Sequence, residues 1–382
     1  MVALQDVSRL RQGRGSSGQS IPVLRIERLQ TQSRQSPFGL LLPAGQRLTL
    51  FGDNSAALSH ILDVIAGFAP RLDGRISVNG KNVSTLPPGQ RGIAVVSPRD
   101  PLFSHLDVRQ NIAFPLRASG RSATEATATA GRMLSLLGLD GAAGKSPRDL
   151  TAEETLRAQL ARALVGGPTV LLLDDPLSGL DAPAARRTTS LLTTLTRALE
   201  LSIVHAVSRR DDALQSGGQI AVFQDQVLLQ CADAARLYDR PASIEVATLF
   251  GEANALTGQV LDIADDVARV HLACGGIVEA MAEGVQDGEA CLVCVRPDRI
   301  SPFFGAQGLS VDDGDVPVRG TLANSAHLGD HVRLKVRCPN GTEIELWRPP
   351  LQAQKIPRNG TPVELAWPPS HATAFPLRAD LY

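Results

Sequence analysis

The sequence lacks a charge excess and is poor in aromatic residues. Its 382 residues include 38 Lys or Arg and 39 Asp or Glu, for a net charge of -1, and aromatic residues make up 4%. Proteins that bind nucleic acid or anionic lipid carry clustered Lys and Arg, and single-strand binders add stacking aromatics. We therefore expect no nucleic-acid partner.

Long apolar runs and paired cysteines are missing as well. The stretch MVALQDVSRLRQGRGSSGQS has no apolar core of a signal peptide, and no segment offers about 18 uncharged apolar residues in a row. This pattern predicts a cytoplasmic protein. Five scattered cysteines fit reduced thiols better than a disulfide framework. Cys291 and Cys294 form C-x-x-C inside an apolar strand pattern, where they face opposite sides and suit neither metal nor redox chemistry.

The composition is that of a globular protein, with 43% hydrophobic and 20% charged residues. Its length suggests two or three domains. Residues 1–20 are rich in Gly, Ser and Arg without periodicity, which predicts a flexible extension. Residues 21–243 alternate apolar runs with helical patterns, whereas residues 244–382 show short strands broken by Gly, Pro and Asp. We expect an α/β domain followed by an all-β domain.

The apolar runs of the first domain predict a mostly parallel sheet. The predicted strands are Arg47–Gly52, Gly92–Ser97, Val170–Asp174, Ser202–Val207 and Gln219–Phe223. The predicted helices are Ser59–Phe68, Ala123–Leu139, Ala152–Val165 and Ala184–Leu199. In the second domain the predicted strands include Gly258–Ile263, Val267–Leu272, Val332–Arg337 and Thr342–Trp347.

The junction between the first of these strands and a helix beginning near Ser59 is where a phosphate-binding loop lies in α/β proteins. It reads GDNSAALS, and Gly52, Ser55 and Ser59 are its candidate phosphate and magnesium contacts. The P-loop pattern also requires a second glycine and a lysine. Ala57 and Leu58 occupy these positions. Loss of the lysine weakens phosphate binding by about 2–5 kcal/mol.

Further segments carry a specific resemblance. VLLLDDPLSGLDA joins a buried strand to an exposed turn, and LARALVGGP lies just upstream. RGIAVV, LFSHLDVRQNIAFPLR, RLYDRPASIEVATLFGEAN, VRPDRI, HLGD and VELAWPPSHATAFP occur in a consistent order. From about residue 22 to the C-terminus the chain resembles the ATP-binding subunits of ABC importers, and it is most similar to polyamine-type systems.

The resemblance implies a P-loop NTPase-like ABC nucleotide-binding domain and an OB-type, TOBE-like C-terminal domain. It implies ATP and Mg as cofactors, and permease subunits and a second nucleotide-binding subunit as partners. The chain would then lie peripherally on the inner face of the membrane. Phe103 and His105 fall in the region that receives the permease. Ser178, Gly179 and Asp181 fall on the turn at the dimer interface.

The same resemblance places the magnesium-side carboxylate at Asp174, next to Ser59 as the second candidate metal ligand. The catalytic glutamate falls on Asp175, which is one methylene shorter. A carboxylate displaced by about 1 Å lowers the rate on the order of a hundredfold. Asp175 is therefore a weakened catalytic candidate.

The remaining functional positions are changed. The loop glutamine falls on Pro98, which offers no side-chain hydrogen bond. The signature segment is LTAEE, with Glu153 and Glu154 where an anion should dock. The switch histidine falls on Ser208, and His205 is three residues early on its strand, pointing to the opposite side. No aromatic residue occurs between residues 23 and 35 to stack on adenine. We expect ATP binding to be weak or absent.

Simpler structural roles compete with these assignments. Ser59 can be a helix N-cap, and Asp174 and Asp175 can serve a strand-end turn. Glu153 and Glu154 in a first helical turn would favour the helix dipole.

Three functions remain open. The first is a degenerate importer subunit with a structural or regulatory role beside a competent ATPase, most naturally as a heterodimer. The second is a divergent but active ATPase driving import of a polyamine, sugar or oxyanion. The third is a module that senses a small anion through the β domain, uncoupled from transport.

Overall fold

The computed structural model describes residues 22–33, 35–305 and 316–377, so the expected extension over residues 1–20 lies outside the described residues. The chain forms two compact units that divide between Ala234 and Ala235. The boundary expected from the sequence, after residue 243, lies slightly C-terminal to this division. The intervening segment belongs to the second unit because Arg296 stacks on Tyr238 at 4.4 Å and donates a hydrogen bond to the carbonyl of Ala247.

The first unit is built from mixed strands and helices. Its described strands are β1 (Leu24–Gln30), β2 (Phe38–Leu42), β3 (Arg47–Gly52), β4 (Asp73–Val78), β5 (Lys81–Asn82), β6 (Ile93–Val96), β7 (Val170–Asp174), β8 (Ser202–Val207), β9 (Gln219–Gln224) and β10 (Val227–Ala232). Its described helices are α1 (Ser55–Ala66), α2 (Val108–Ala118), α3 (Ala123–Leu136), α4 (Ala152–Leu164), α5 (Ala182–Leu199) and α6 (Arg210–Ser216).

The predicted parallel sheet is confirmed as a six-stranded sheet in the order β10-β9-β3-β8-β7-β6. Its strands run parallel except for β10, which pairs antiparallel with β9. Every residue of β7 and β8 is buried. Alternate residues face two cores, with Leu171 and Leu173 in one and Leu172 in the other. Burial on both faces explains why these strands are continuous apolar runs.

A second sheet, in the antiparallel order β2-β1-β4-β5, was not predicted. Its inward residues include Leu24 and Ile26 on β1 and Leu40 and Leu42 on β2. The period-2 signal of β1 is interrupted because Arg28 has φ 49° at a shift of register. Such a bulge adds one residue and reverses the alternation of faces after it.

The prediction that the first helix begins near Ser59 is wrong. Helix α1 begins at Ser55, since the side chain of Asn54 accepts a hydrogen bond from the Ala57 amide at 3.1 Å and caps the helix. Asn is among the best N-cap residues. The starts of α3 and α4 agree with the predicted ones, at Ala123 and Ala152.

The second unit opens with α7 (Ala234–Asp239) and α8 (Ile244–Leu249) and is otherwise β-rich. Its described strands are β11 (Asn254–Ala264), β12 (Val267–Leu272), β13 (Ile277–Ala282), β14 (Ala290–Val295), β15 (Ser301–Phe304), β16 (Val318–His327), β17 (Val332–Arg337), β18 (Glu343–Arg348), β19 (Pro362–Ala366) and β20 (Ala372–Pro376). A closed barrel, β11-β12-β13-β20-β14, shares one core with a sheet ordered β15-β19-β16-β17-β18.

The two cysteines of the C-x-x-C pattern face opposite sides of β14, as expected. Cys291 packs in the core of the second unit, whereas Cys294 packs against Ala247 and Phe375. Burial raises the pKa of both thiols to about 11. They are therefore thiols, not thiolates, at neutral pH.

Candidate functional site

The junction between β3 and α1 is a short turn. Gly52 ends β3 so close to its neighbour that a Cβ there would lie 2.4 Å from the carbonyl oxygen of Phe223. Only Asp53 and Asn54 separate this glycine from the helix. Ser55 is the first helical residue, so most of the candidate phosphate loop is wound into α1.

Two amide groups at the start of α1 have internal partners. Asn54 accepts from the Ala57 amide through its side chain and from the Leu58 amide, at 3.2 Å, through its carbonyl. Leu58 is 1% exposed and belongs to the core that also contains Leu48 and Ile61. The position expected to carry a lysine therefore contributes a core side chain and no charge.

Asp174, at the end of β7, is a focus of hydrogen bonds. Its Oδ1 accepts from Ser59 Oγ at 2.6 Å, and its Oδ2 accepts from Ser97 Oγ at 2.9 Å. The Arg99 guanidinium donates to the same Oδ2 at 3.2 Å. The two candidate metal ligands, Ser59 and Asp174, are thus brought together, and they are bonded to each other.

Arg99 was missed by the sequence analysis. Its guanidinium also donates two hydrogen bonds to the Asp63 carboxylate, of 2.8 and 3.0 Å. This pairing, followed by the charge of Asp174, raises the pKa of Arg99. No spacing in the sequence signals this role, because Asp63 and Asp174 meet Arg99 only in the fold. Pro98, the expected glutamine position, is exposed beside Arg99.

Asp175 follows Asp174 in an uncommon backbone conformation, with φ 45°. Its amide donates to the carbonyl of Ala206 at 3.0 Å, which anchors it to β8. Its Oδ2 accepts from Ser208 Oγ at 3.0 Å. The structure therefore brings together the positions assigned to the catalytic carboxylate and the switch residue.

His205 is turned into the sheet. Its Nε2 lies 2.9 Å from Thr49 Oγ1 on the neighbouring strand β3. Burial, and to a lesser degree the charge of Arg47, lowers the pKa of His205 to about 4. The imidazole is therefore neutral at pH 7 and takes no part in the Asp175–Ser208 pair.

The LTAEE segment forms the start of α4. Thr151 and Glu154 make a reciprocal capping box, with bonds of 3.2 and 2.9 Å. Lys145 donates a hydrogen bond to Glu154 at 2.8 Å, which lowers the pKa of Glu154. Arg187 donates to Glu153 at 3.1 Å, which lowers the pKa of Glu153. Both carboxylates are ionised at neutral pH. The helix-start role considered for them is seen here.

The turn that precedes α5 is exposed. Gly179 has φ 83°, a conformation that favours glycine. Ser178 Oγ donates to the carbonyl of Asp175 at 2.8 Å, which ties the turn to the end of β7. Asp181 caps α5 by accepting from the Ala184 amide at 2.7 Å.

Phe103 and His105 lie in a loop before α2, with ring centroids 6.0 Å apart. Phe103 also packs against Phe114, at 4.7 Å, and beneath the guanidinium of Arg162. Phe114 is 44% exposed. The buried Asn111 side chain holds the loop through both the amide and the carbonyl of Phe103.

Within the described residues, no group of three His, Cys, Asp or Glu side chains is placed to hold a metal ion. In the same part of the chain, no helix is long and apolar enough to cross a membrane.

Comparisons with known proteins agree with this architecture. Residues 36–178 match the family model described as ABC transporter, and residues 293–375 match the TOBE domain. A structure of cbiO1 from Clostridium perfringens, part of the ABC transporter complex cbiONQ, covers 56% of this chain and 88% of its own, with a TM-score of 0.51 and 20% identity. It supports the fold alone.

Two curated relatives cover most of the chain. The Fe(3+) ions import ATP-binding protein FbpC 1 of Rhizobium meliloti is 33% identical over 308 residues, which is 79% of this chain and 83% of the relative. The spermidine/putrescine import ATP-binding protein PotA of Pseudomonas aeruginosa is 32% identical over 311 residues, 81% and 85% of the two chains. With its ABC and TOBE domains, the chain belongs to the family of importer-type ABC transporter ATP-binding subunits.

Proposed function

We propose that this chain is an importer subunit whose own nucleotide site does not hydrolyse ATP, and that it serves a structural or regulatory role beside a competent ATPase subunit. The position of Arg99 supports the proposal most strongly. Its guanidinium lies 3.2 Å from Asp174 and 2.8 Å from Asp63. A cation already neutralises the carboxylate that a magnesium ion would need, so Mg would have to displace it.

The phosphate side of the site supports the same proposal. In a working P-loop, free backbone amides and a lysine cradle the phosphates. Here two amides at the start of α1 are bonded to Asn54, and Leu58 is a core residue. Asp53 adds a negative charge at the turn. The residues present do not fit a magnesium–nucleotide complex.

The exposed surfaces suit assembly with partners. The Ser178–Asp181 turn keeps its shape through Gly179 and two short hydrogen bonds. In a nucleotide-binding dimer this turn faces the second subunit, which we propose is a competent ATPase in a heterodimer. The Phe103–Phe114 cluster offers an aromatic surface for a permease. Such contacts would place the chain on the inner face of the membrane.

Calorimetry with MgATP on the purified chain tests the proposal. The unaltered chain should bind with a Kd weaker than about 1 mM. A repaired variant, Ala57→Gly with Leu58→Lys and Arg99→Ala, should bind at least about tenfold more tightly because the lysine is restored and the competing cation removed. The matched control carries the same two repairs with Arg109→Ala, which removes an exposed arginine outside the site.

Tight binding to the unaltered chain would overturn the proposal. Equal binding by the repaired variant and its control would show that Arg99 does not occupy the metal position.

A divergent active ATPase is the second candidate, and the Asp175–Ser208 pair favours it. Asp175 is anchored to β8 and oriented by a 3.0 Å hydrogen bond, as a general base needs to be. On this hypothesis the purified chain turns over ATP, and Asp175→Asn lowers the rate at least about a hundredfold. Asp211→Asn, an exposed neighbour, should leave the rate unchanged. No turnover in the unaltered chain rejects this candidate.

A further inference from the structure

A cleft of about 360 Å³ lies in the second unit. It is lined by residues from β15 and β18, which are the two edge strands of the five-stranded sheet. The sheet therefore curls until its edges face each other across the cleft. The short 3-10 helix Pro350–Lys355 closes one side. Ligand sites of small proteins often lie in such mouths of curled sheets, and this volume is at the small end of their range.

Arg348 spans the cleft. Its Nη2 donates to the carbonyl of Ile300, which directly precedes β15. Its Nε is buried and has no hydrogen-bond partner among the described residues. Burial lowers the pKa of this guanidinium, although the charge of Asp298 opposes the shift. A buried N–H without a partner is costly. Arg348 also lines the cleft, where its positive charge attracts the anionic group of a ligand.

The walls of the cleft combine positive charge with apolar surface. Lys355 and Gln352 line it from the short 3-10 helix, and none of the described lining residues is acidic. Phe303 is 41% exposed, and Phe304 is half-buried against the core of the unit. Water-exposed aromatic surface beside a half-buried guanidinium matches a ligand with an apolar part and one anionic group.

We propose that this cleft binds a small carboxylate that bears an aromatic or aliphatic group. The carboxylate accepts from the Arg348 guanidinium and lies near Lys355, while the apolar part packs on Phe303. An amine is excluded because it would meet two cations without a carboxylate partner in the cleft. The site lies in the second unit and does not rest on the fate of the nucleotide site.

Phenylacetate is a suitable probe for calorimetric or NMR titration of the full chain, because it joins one carboxylate to one ring. We expect saturable binding in the range of about 0.1–5 mM, as befits a ligand of ten heavy atoms. Phenethylamine, which has the same skeleton and the opposite charge, should not bind.

Two nearly isosteric substitutions localise the site. Gln352→Glu places a negative charge in the cleft and should weaken phenylacetate binding at least about tenfold through like-charge repulsion. Asn359→Asp adds the same charge outside the lining and should leave binding unchanged. Lys355→Gln tests the second cation and should weaken binding severalfold. All three positions are exposed, so the fold should tolerate the changes.

Three outcomes would overturn the proposal or its placement in the cleft. Absence of saturable binding at about 10 mM phenylacetate would reject the ligand class. Binding that Gln352→Glu and Asn359→Asp weaken equally would place it outside the cleft. Binding of phenethylamine as tight as that of phenylacetate would reject the charge argument.

Discussion

At the scale of single residues, the chemistry open to a side chain depends on its neighbours as well as on its identity. Asp174 and Ser59 have the residue types that bind magnesium, yet each has the other as a hydrogen-bond partner at 2.6 Å. Arg99 supplies the positive charge that the carboxylate requires. On the proposed function, a magnesium ion would have to displace these hydrogen bonds and the charge of Arg99.

His205 leads to a prediction about pH. Its pKa is about 4 in the folded chain and about 6.5 in an unfolded one. The unfolded state therefore binds the proton more tightly, so stability is lost as pH falls from about 6.5 to about 4, and is unaffected by this group above that window. The loss is on the order of 3 kcal/mol.

Urea unfolding of the first unit across this pH range measures the effect. His205→Gln removes the titrating imidazole. The free energy of unfolding of this variant should therefore fall less between about pH 6.5 and about pH 4. His60→Gln, in the same unit, is the matched control for replacing a histidine. Identical profiles for the unaltered chain and His205→Gln would contradict the burial argument.

Some of these residue roles could be predicted from the sequence, and others could not. The absence of the P-loop lysine could be read from the motif, because Leu58 occupies that position. The burial of Leu58 follows from its apolar side chain on the inner face of α1. Arg99 was invisible because its role depends on Asp63 and Asp174, which are far apart in the sequence and meet only in the fold. Motif spacing carries no information about such a substitute charge.

At the scale of elements, buried strands and capped helices were the predictable part. β7 and β8 are continuous apolar runs because helices cover one face of the sheet, and α1 with the antiparallel sheet covers the other. The start of α4 was predictable from Thr151 and two acids. The start of α1 was not, since a phosphate-loop motif and an Asn N-cap compete for the same residues, and the local cap is the structure adopted.

Asn111 on α2 gives a prediction for an element and the loop it holds. Its buried side chain makes four hydrogen bonds, to both backbone groups of Phe103 and to the carbonyls of Leu106 and Asp107. Asn111→Leu leaves the Phe103 amide and the Leu106 carbonyl without this partner, whereas the carbonyls of Phe103 and Asp107 keep backbone amide donors. The variant should lower the free energy of unfolding by about 3 kcal/mol. Gln110→Ala, which breaks only the exposed capping box at the same helix end, should cost about 1 kcal/mol or less.

Chemical denaturation compares the two variants, and hydrogen exchange at the Phe103 amide reports the loop directly. Faster exchange at Phe103 in Asn111→Leu alone is the expected result. Similar losses of stability in both variants would mean that the loop is held by other contacts.

At the scale of the whole molecule, the two units have separate cores and distinct spectroscopic signals. The longer helices lie in the first unit, whereas both tryptophans, Trp347 and Trp367, lie in the second. Helical circular dichroism therefore follows the first unit, and tryptophan fluorescence follows the second. Because each unit buries its own apolar cluster, we expect two separable unfolding transitions.

Asn111→Leu tests this separation, since the four hydrogen bonds that it removes all lie within the first unit. In urea, the midpoint followed by circular dichroism should fall by about 1–2 M, given about 3 kcal/mol and a slope of about 1–3 kcal/mol per M. The tryptophan midpoint should not move. Equal shifts of both signals would show that the units unfold as one cooperative body, and the carboxylate cleft would then have to respond to changes in the nucleotide site. If the two transitions are independent, phenylacetate binding in the cleft should raise only the urea midpoint that is followed by tryptophan fluorescence.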